Sequence, residues 1–253
     1  MALIAPSASE SMTIIEAFDS KSSAGDARRE KTTAATLVYR ELRRDILQGR
    51  LKPRQKLLIE ALAEHYQVGA NPVREALNRL SSERLVDREE QRGFFVPPLS
   101  LAHFRELVTT RCWLESRALQ ESIANSTDAW EERIVVAFHR LSRTPFKAPQ
   151  QDGQAENHEW EARHRVFHEA LISNCGSSWL LKFCGELMDQ VERYRYISMT
   201  TTYPRRDSNE EHRLIMEATL DGDAPTATER LVSQYQLTLK LLEEQSSFPN
   251  TDG

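Results

Sequence analysis

The stretch at 58–96, LIEALAEHYQVGANPVREALNRLSSERLVDREEQRGFFV, constrains the fold of this chain more than any other. Ile59, Leu62 and Ala63 recur at three- to four-residue spacing, which predicts a short helix, and Val68 with Gly69 breaks it. Asn71 offers an N-cap and Pro72 a first helical residue with no amide to satisfy, so a second helix is expected to start there. Val73, Ala76, Leu77 and Leu80 give that helix an inward apolar stripe and leave Arg74, Asn78 and Arg79 on its other faces. Two short strands, Leu85 to Asp87 and Phe94 to Val96, flank a polar turn through Gln91, Arg92 and Gly93. Helix, tight turn, helix and hairpin, in that order, are the parts of a winged helix-turn-helix. Its second helix enters a DNA major groove, and its wing adds backbone contacts.

Charge supports that reading. Basic residues on an isolated amphipathic helix are ordinarily a solvated face. From Thr33 to Pro98, however, twelve Lys and Arg stand against nine Asp and Glu, a balance of +3, whereas beyond Pro98 seventeen stand against twenty-four, a balance of −7. A locally basic module on an acidic chain is the electrostatic footprint expected for binding the phosphates of double-stranded DNA.

The segments LRRDILQGRLKP at 42–53, NPVREAL at 71–77 and RGFFV at 92–96 together resemble the DNA-binding domain of the GntR family of bacterial transcription regulators. The resemblance implies a homodimeric repressor or activator that grips or releases a pseudo-palindromic operator when a small molecule binds. It places Arg43, Arg44, Asn71, Pro72, Arg74, Asn78, Arg79, Arg92 and Gly93 at the DNA. Two departures stand out. Where the family commonly has a Ser-Arg-Thr-Pro sequence this chain has Gly69, Ala70, Asn71 and Pro72, so Ala70 replaces a base-reading Arg and leaves more of the reading to Asn71 and Arg74. Arg54 stands where a Gly is usual.

At 253 residues and 40% hydrophobic content, two modest domains are expected. Cys112, Cys175 and Cys184 make neither an even framework nor a close thiolate pair, which suits a reducing cytoplasm, and no leader or membrane-spanning run is apparent. The division expected is a disordered N-terminal arm over 1–32, the winged module over 33–98, a helical effector-binding and dimerisation domain over 99–245, and a tail over 246–253. The fold class is therefore mainly α, an N-terminal winged helix-turn-helix followed by an all-helical bundle. Helices are predicted from Leu101 to Ala124, Ala129 to Leu141, Glu156 to Ser173, Ser178 to Ile197, Asn209 to Leu220 and Thr226 to Gln245.

In the helical half, HRVFH at 164–168 sets two imidazoles four residues apart on one helical face, where they can share a metal. Taken alone, such a pair is more often a surface or core feature than a ligand set. Residues 100–242 resemble the FCD effector-binding domain of one branch of the same family, whose pattern pairs an acidic residue with a His four later and adds two further histidines. On that resemblance His168 and His212 match family histidines, His164 stands for the acid and Gln234 for the last His. Nitrogen donors of this kind suit zinc or nickel better than calcium or magnesium. The alternative is that these side chains hydrogen-bond an organic effector directly.

Arg111 lies one turn before Glu115, so the two form either an intrahelical ion pair or part of an effector site, with Arg111 clamping the carboxylate of a small organic or aromatic acid and Arg193, Tyr194 and Tyr196 lining the pocket. Trp113, Trp160 and Trp179 are read as core. The function expected is an effector-responsive transcription regulator rather than an enzyme. The rival is a metal-dependent hydrolase using the histidines to activate water, against which no acid is obviously reserved as a general base.

Overall fold

Thr33 opens the first helix, α1 (Ala34–Leu47), by accepting the Thr36 amide on its side chain. The computed structural model describes residues 33–146, 158–202 and 207–244, without the side chains of 158 and 196–202. The expected arm over 1–32 and the tail over 246–253 lie outside these residues. Val38, Leu42 and Ile46 of α1 bury against α3 (Ala70–Ser82), whose Val73, Ala76, Leu77 and Leu80 are at most 1% exposed, the stripe read from the sequence. Between them runs α2 (Ile59–His65), followed by Tyr66, whose hydroxyl donates to buried Asp45 at 2.7 Å and ties this turn to α1.

The start of α3 differs from expectation. Gly69, in extended conformation, is the N-cap, and Asn71 and Pro72 lie inside the first turn. Amides throughout a first turn lack intrahelical acceptors, so proline loses nothing there beyond the first position. The wing also shifts: β2 (Asp87–Glu89) pairs antiparallel with β3 (Gly93–Phe95), leaving Leu85 and Val86 as buried anchors before the strand. A third strand, β1 (Lys56–Leu57), pairs with the other edge of β3 and escaped the sequence reading because two residues carry no alternation. Arg54 just before it has φ 66°, a left-handed conformation that explains why glycine is usual at this position.

Pro97 and Pro98 lead into α4 (Leu101–Ala124), capped by Ser100. The remaining helices are α5 (Asp128–Ser142), α6 (His158–Ile172), α7 (Ser178–Thr202), α8 (Ser208–Leu220) and α9 (Ala224–Glu243). Asp207 and Asp223 accept the amides of Glu210 and Thr226 at 3.0 and 3.1 Å, so α8 and α9 begin one and two residues earlier than periodicity alone indicated. α4 packs on α9 and α7, α5 on α6, and α8 on α9, around a second core that holds Phe104, Trp130, Ile134, Phe167, Leu171 and Tyr194. Trp160 is buried there, but Trp113 and Trp179 are 70% and 68% exposed, contrary to their reading as core.

The two cores meet along α7. Arg43 of α1 pairs with Asp189, and Gln190 donates to the carbonyls of Glu83 and Arg84 at 3.2 and 3.1 Å. No helix among the described residues is long and apolar enough to cross a membrane.

Candidate functional site

Two sites take shape, one on the surface of the winged module and one inside the helical half. On α3, Ala70, Asn71, Arg74 and Asn78 are exposed on the side away from the Val73–Leu80 stripe. Arg74 has no ion-pair partner among the described residues, so its donors face solvent. Pro72 is partly buried and shapes the first turn of α3.

Other basic residues of the module are already engaged. The Arg79 guanidinium lies 3.7 Å over the Tyr39 ring and 3.5 Å from Glu83, which also takes the Tyr39 hydroxyl at 2.7 Å. Burial and this carboxylate push the Tyr39 phenol up to about 12. Arg79 is thus held by its own module. Arg43, expected at the DNA, is turned to Asp189 in the helical half. Arg44 pairs with Glu41 and Arg92 with Glu89, both at the surface. Gly93 has φ 98°, so it serves the turn of the wing.

In the helical half, α6 carries His164 and His168 into the core, and α8 adds His212. All three are at most 8% exposed, and one nitrogen from each lies within 4.8 Å of the others. Burial, with Arg195 and the other imidazoles, holds His164 well below the usual histidine range. His168 Nδ1 is 3.1 Å from the Tyr235 hydroxyl, which donates to Glu115. Arg111 completes this group, its Nε 2.5 Å from Glu115 and its Nη2 3.0 Å from the tyrosine oxygen. On the other side Arg195 Nη1 is 2.7 Å from His164 Nδ1, and its Nη2 donates to Glu161 at 3.1 Å.

Arg111 and Glu115, picked from sequence, therefore lie one residue away from the imidazoles, as a buried ion pair. Gln234 is buried on α9 but lines a separate cleft of about 360 Å³ with Glu211, Thr226, Arg230 and Ser233. Arg193 and Tyr194, expected at the effector, meet the linker and the start of α4. Arg193 donates to the Pro97 carbonyl at 2.7 Å, while the Tyr194 hydroxyl meets His103 Nδ1 at 3.0 Å and its ring stacks on Phe104. Both stabilise the linker into α4. Tyr196, read with them as a pocket residue, has its side chain outside the described residues.

Arg195, Glu161 and Tyr235 were not picked out. Two residues along a helix turn the side chain by about 200°, so Arg193 faces the linker and Arg195 the imidazoles. Glu161, three before His164, was the one legible signal.

A winged helix-turn-helix with an exposed recognition helix, joined to an all-helical domain with a buried polar centre, defines a two-domain transcription regulator. The sequence agrees: residues 34–96 match the profile of bacterial regulatory proteins of the gntR family, and residues 106–236 match the FCD domain. The chain belongs to the GntR family, in its FCD-containing branch. It is 38% identical over 207 residues to BphR of Paraburkholderia xenovorans, described as an uncharacterized HTH-type transcriptional regulator, covering 82% of this chain and 84% of that one. It is 33% identical to the HTH-type transcriptional repressor GlaR of Escherichia coli K12, covering 79% and 91%. Among solved structures, E. coli McbR/YncC superposes with a TM-score of 0.70 at 22% identity over 84% of this chain and 98% of that chain, a likeness of fold.

The family's FCD pattern raises the question of a metal. The three imidazoles are gathered closely enough to hold one. A metal-bound imidazole, however, gives its other N–H to an acceptor, and Arg195 at His164 is a cation and a donor. A divalent metal held by these imidazoles would sit beside the Arg195 guanidinium. The cavity that His164 and His168 line with Arg111 and Arg195 is small, about 20 Å³.

Proposed function

We propose that this chain is an effector-responsive repressor of the bacterial cytoplasm that binds double-stranded operator DNA as a homodimer. The observation that carries it is the face of α3, where Asn71, Arg74 and Asn78 are exposed and Arg74 has no ion-pair partner among the described residues. Arg74 is suited to a guanine edge or a phosphate, Asn71 to an adenine edge, and Ala70 to a thymine methyl. Arg44 and Arg92 lie at the surface of the same module, where they can contact the backbone. The sign, repression, follows GlaR, which is named a repressor. A second copy as partner agrees with the exposed Trp113 on α4 and the exposed Trp179 and Phe183 on α7, large apolar side chains that a monomer would leave wet.

The effector proposed is a small carboxylate or aromatic acid, received by the helical half near Arg111, Glu115 and the imidazoles. Zinc or nickel suits three imidazoles by donor type, but would sit beside the Arg195 guanidinium, and no step here runs through it. A route from this centre to the DNA is built in. Arg165 sits between His164 and His168 on α6 and donates to Asp189 Oδ1 at 2.5 Å, and the same oxygen takes Arg43 of α1. A ligand that moves α6 thereby bears on the helix that packs against α3.

Selection of genomic fragments by the purified full chain, followed by footprinting, tests the reading. It should yield a pseudo-palindromic site, and Arg74→Ala should weaken binding at least tenfold and flatten its salt dependence. An unchanged affinity in that variant would place the DNA elsewhere.

A further inference from the structure

Where α1 meets α6 and α7 there is a second cavity, of about 170 Å³, lined by Arg43, Leu47 and the cap residue Gln48 of α1, Glu161 and Arg165 of α6, and Glu192 of α7. Its acceptors outnumber its free donors. Arg165 is already engaged, with Nε on Glu169 at 2.8 Å and Nη1 on Asp189 at 2.5 Å, and Arg43 is turned to Asp189 as well. Gln48 Oε1, by contrast, is buried and has no hydrogen-bond partner among the described residues. Glu161 gives one oxygen to Arg195, and Glu192 has only a long contact of 3.5 Å to the shared Arg165. Four carboxylates, Glu161, Glu169, Asp189 and Glu192, thus stand around three guanidinium groups, Arg43, Arg165 and Arg195. Burial and the neighbouring carboxylates push Glu192 up to about 7, the mark of an acid short of counter-charge.

We propose that this cavity binds a small organic cation of the alkylammonium class, whose N–H groups donate to Glu192, Glu161 and Gln48 Oε1 while its alkyl part meets Leu47. The sign of the charge follows from the acceptors: a buried carboxylate with an incomplete counter-charge is stabilised by a cation and repels an anion. A metal ion is the wrong cation, because these carboxylates do not form a group close enough to share one; among the described residues only the three histidines do. Size sets the rest. A cavity of about 150 Å³ holds a benzene ring, so the occupant has about six non-hydrogen atoms. Its place gives it a consequence, since it would touch α1, α6 and α7 together and add an ionic tie between the winged module and the helical half beside the one made by Asp189. Glu161, Arg165 and Glu192 also border the small cavity at the imidazoles, so the two spaces share a wall.

This site goes beyond the regulatory reading and needs neither operator nor carboxylate effector, so the two can fail separately. Calorimetric titration of butylammonium chloride into the full chain tests it, with sodium butyrate and 1-butanol as the matched anion and neutral probe. The ammonium should bind one equivalent at about 1 mM or tighter, at least tenfold more tightly than either control. Glu192→Gln should weaken it at least tenfold, whereas Glu229→Gln, in the separate cleft beside Gln234, should leave it within twofold. On saturation, amide exchange of the parent chain should slow in the last turn of α1, a readout that does not depend on any variant folding. Absence of saturable binding, equal binding of butyrate or 1-butanol, full affinity in Glu192→Gln, a matching loss in Glu229→Gln, or unchanged exchange in α1 would each overturn the proposal.

Discussion

Single residues here repeatedly do something other than their type suggests, and the reason is which side of a helix they occupy. Arg43 and Arg44 are neighbours in a basic run, yet one pairs with Asp189 across the junction and the other with Glu41 on its own helix. Arg193 and Arg195 divide in the same way between linker and histidine cluster. Glu192, between them, is pushed up to about 7 by burial and by the nearby carboxylates Glu161 and Asp189, against the pull of Arg165 and Arg195. The folded chain therefore keeps a proton there between pH 4.5 and 7 that the unfolded chain has released, so this residue's contribution to stability falls as pH rises through that window. In denaturant titrations Glu192→Gln should match the parent below pH 4.5 and exceed it increasingly up to pH 7. A constant difference across pH would reject that assignment. His164, whose shift runs the other way, is common to both chains and cancels.

At the scale of elements, helices with periodic stripes were legible and the shortest strand was not. α4 runs from Leu101 to Ala124 as the sequence indicated, because its ends are marked by Ser100 and by polar Asn125 and Ser126. β1 went unseen because its two residues gain meaning only from β3 beside them. α3 separates packing from recognition most cleanly. Leu77 is fully buried between α1 and the rest of the module, so Leu77→Ala should cost about 2–5 kcal/mol. Urea unfolding would show that loss, whereas Arg74→Ala on the opposite face should leave stability within about 0.5 kcal/mol. A Leu77→Ala variant of unchanged stability would mean that α3 is not seated as described.

For the whole molecule, a contact that joins the winged module to the helical half is Asp189, one carboxylate shared by Arg43 of α1 and Arg165 of α6. Asp189→Asn leaves two guanidinium groups facing an amide, at an expected cost of about 1–3 kcal/mol. Amide hydrogen exchange should then quicken in the C-terminal half of α1 while α5 stays unchanged. Protection in α1 equal to the parent's would break the proposed link between the two halves. The sequence by itself determined the class of protein, the order of helices and the His164–His168 pair, because periodicity, caps and four-residue spacing are local and act within one element. Only the tertiary structure decided what surrounds that pair. His212, Tyr235, Glu115 and Arg195 come from four other helices, and whether an imidazole offers a lone pair or a proton depends on which of them it meets across the core.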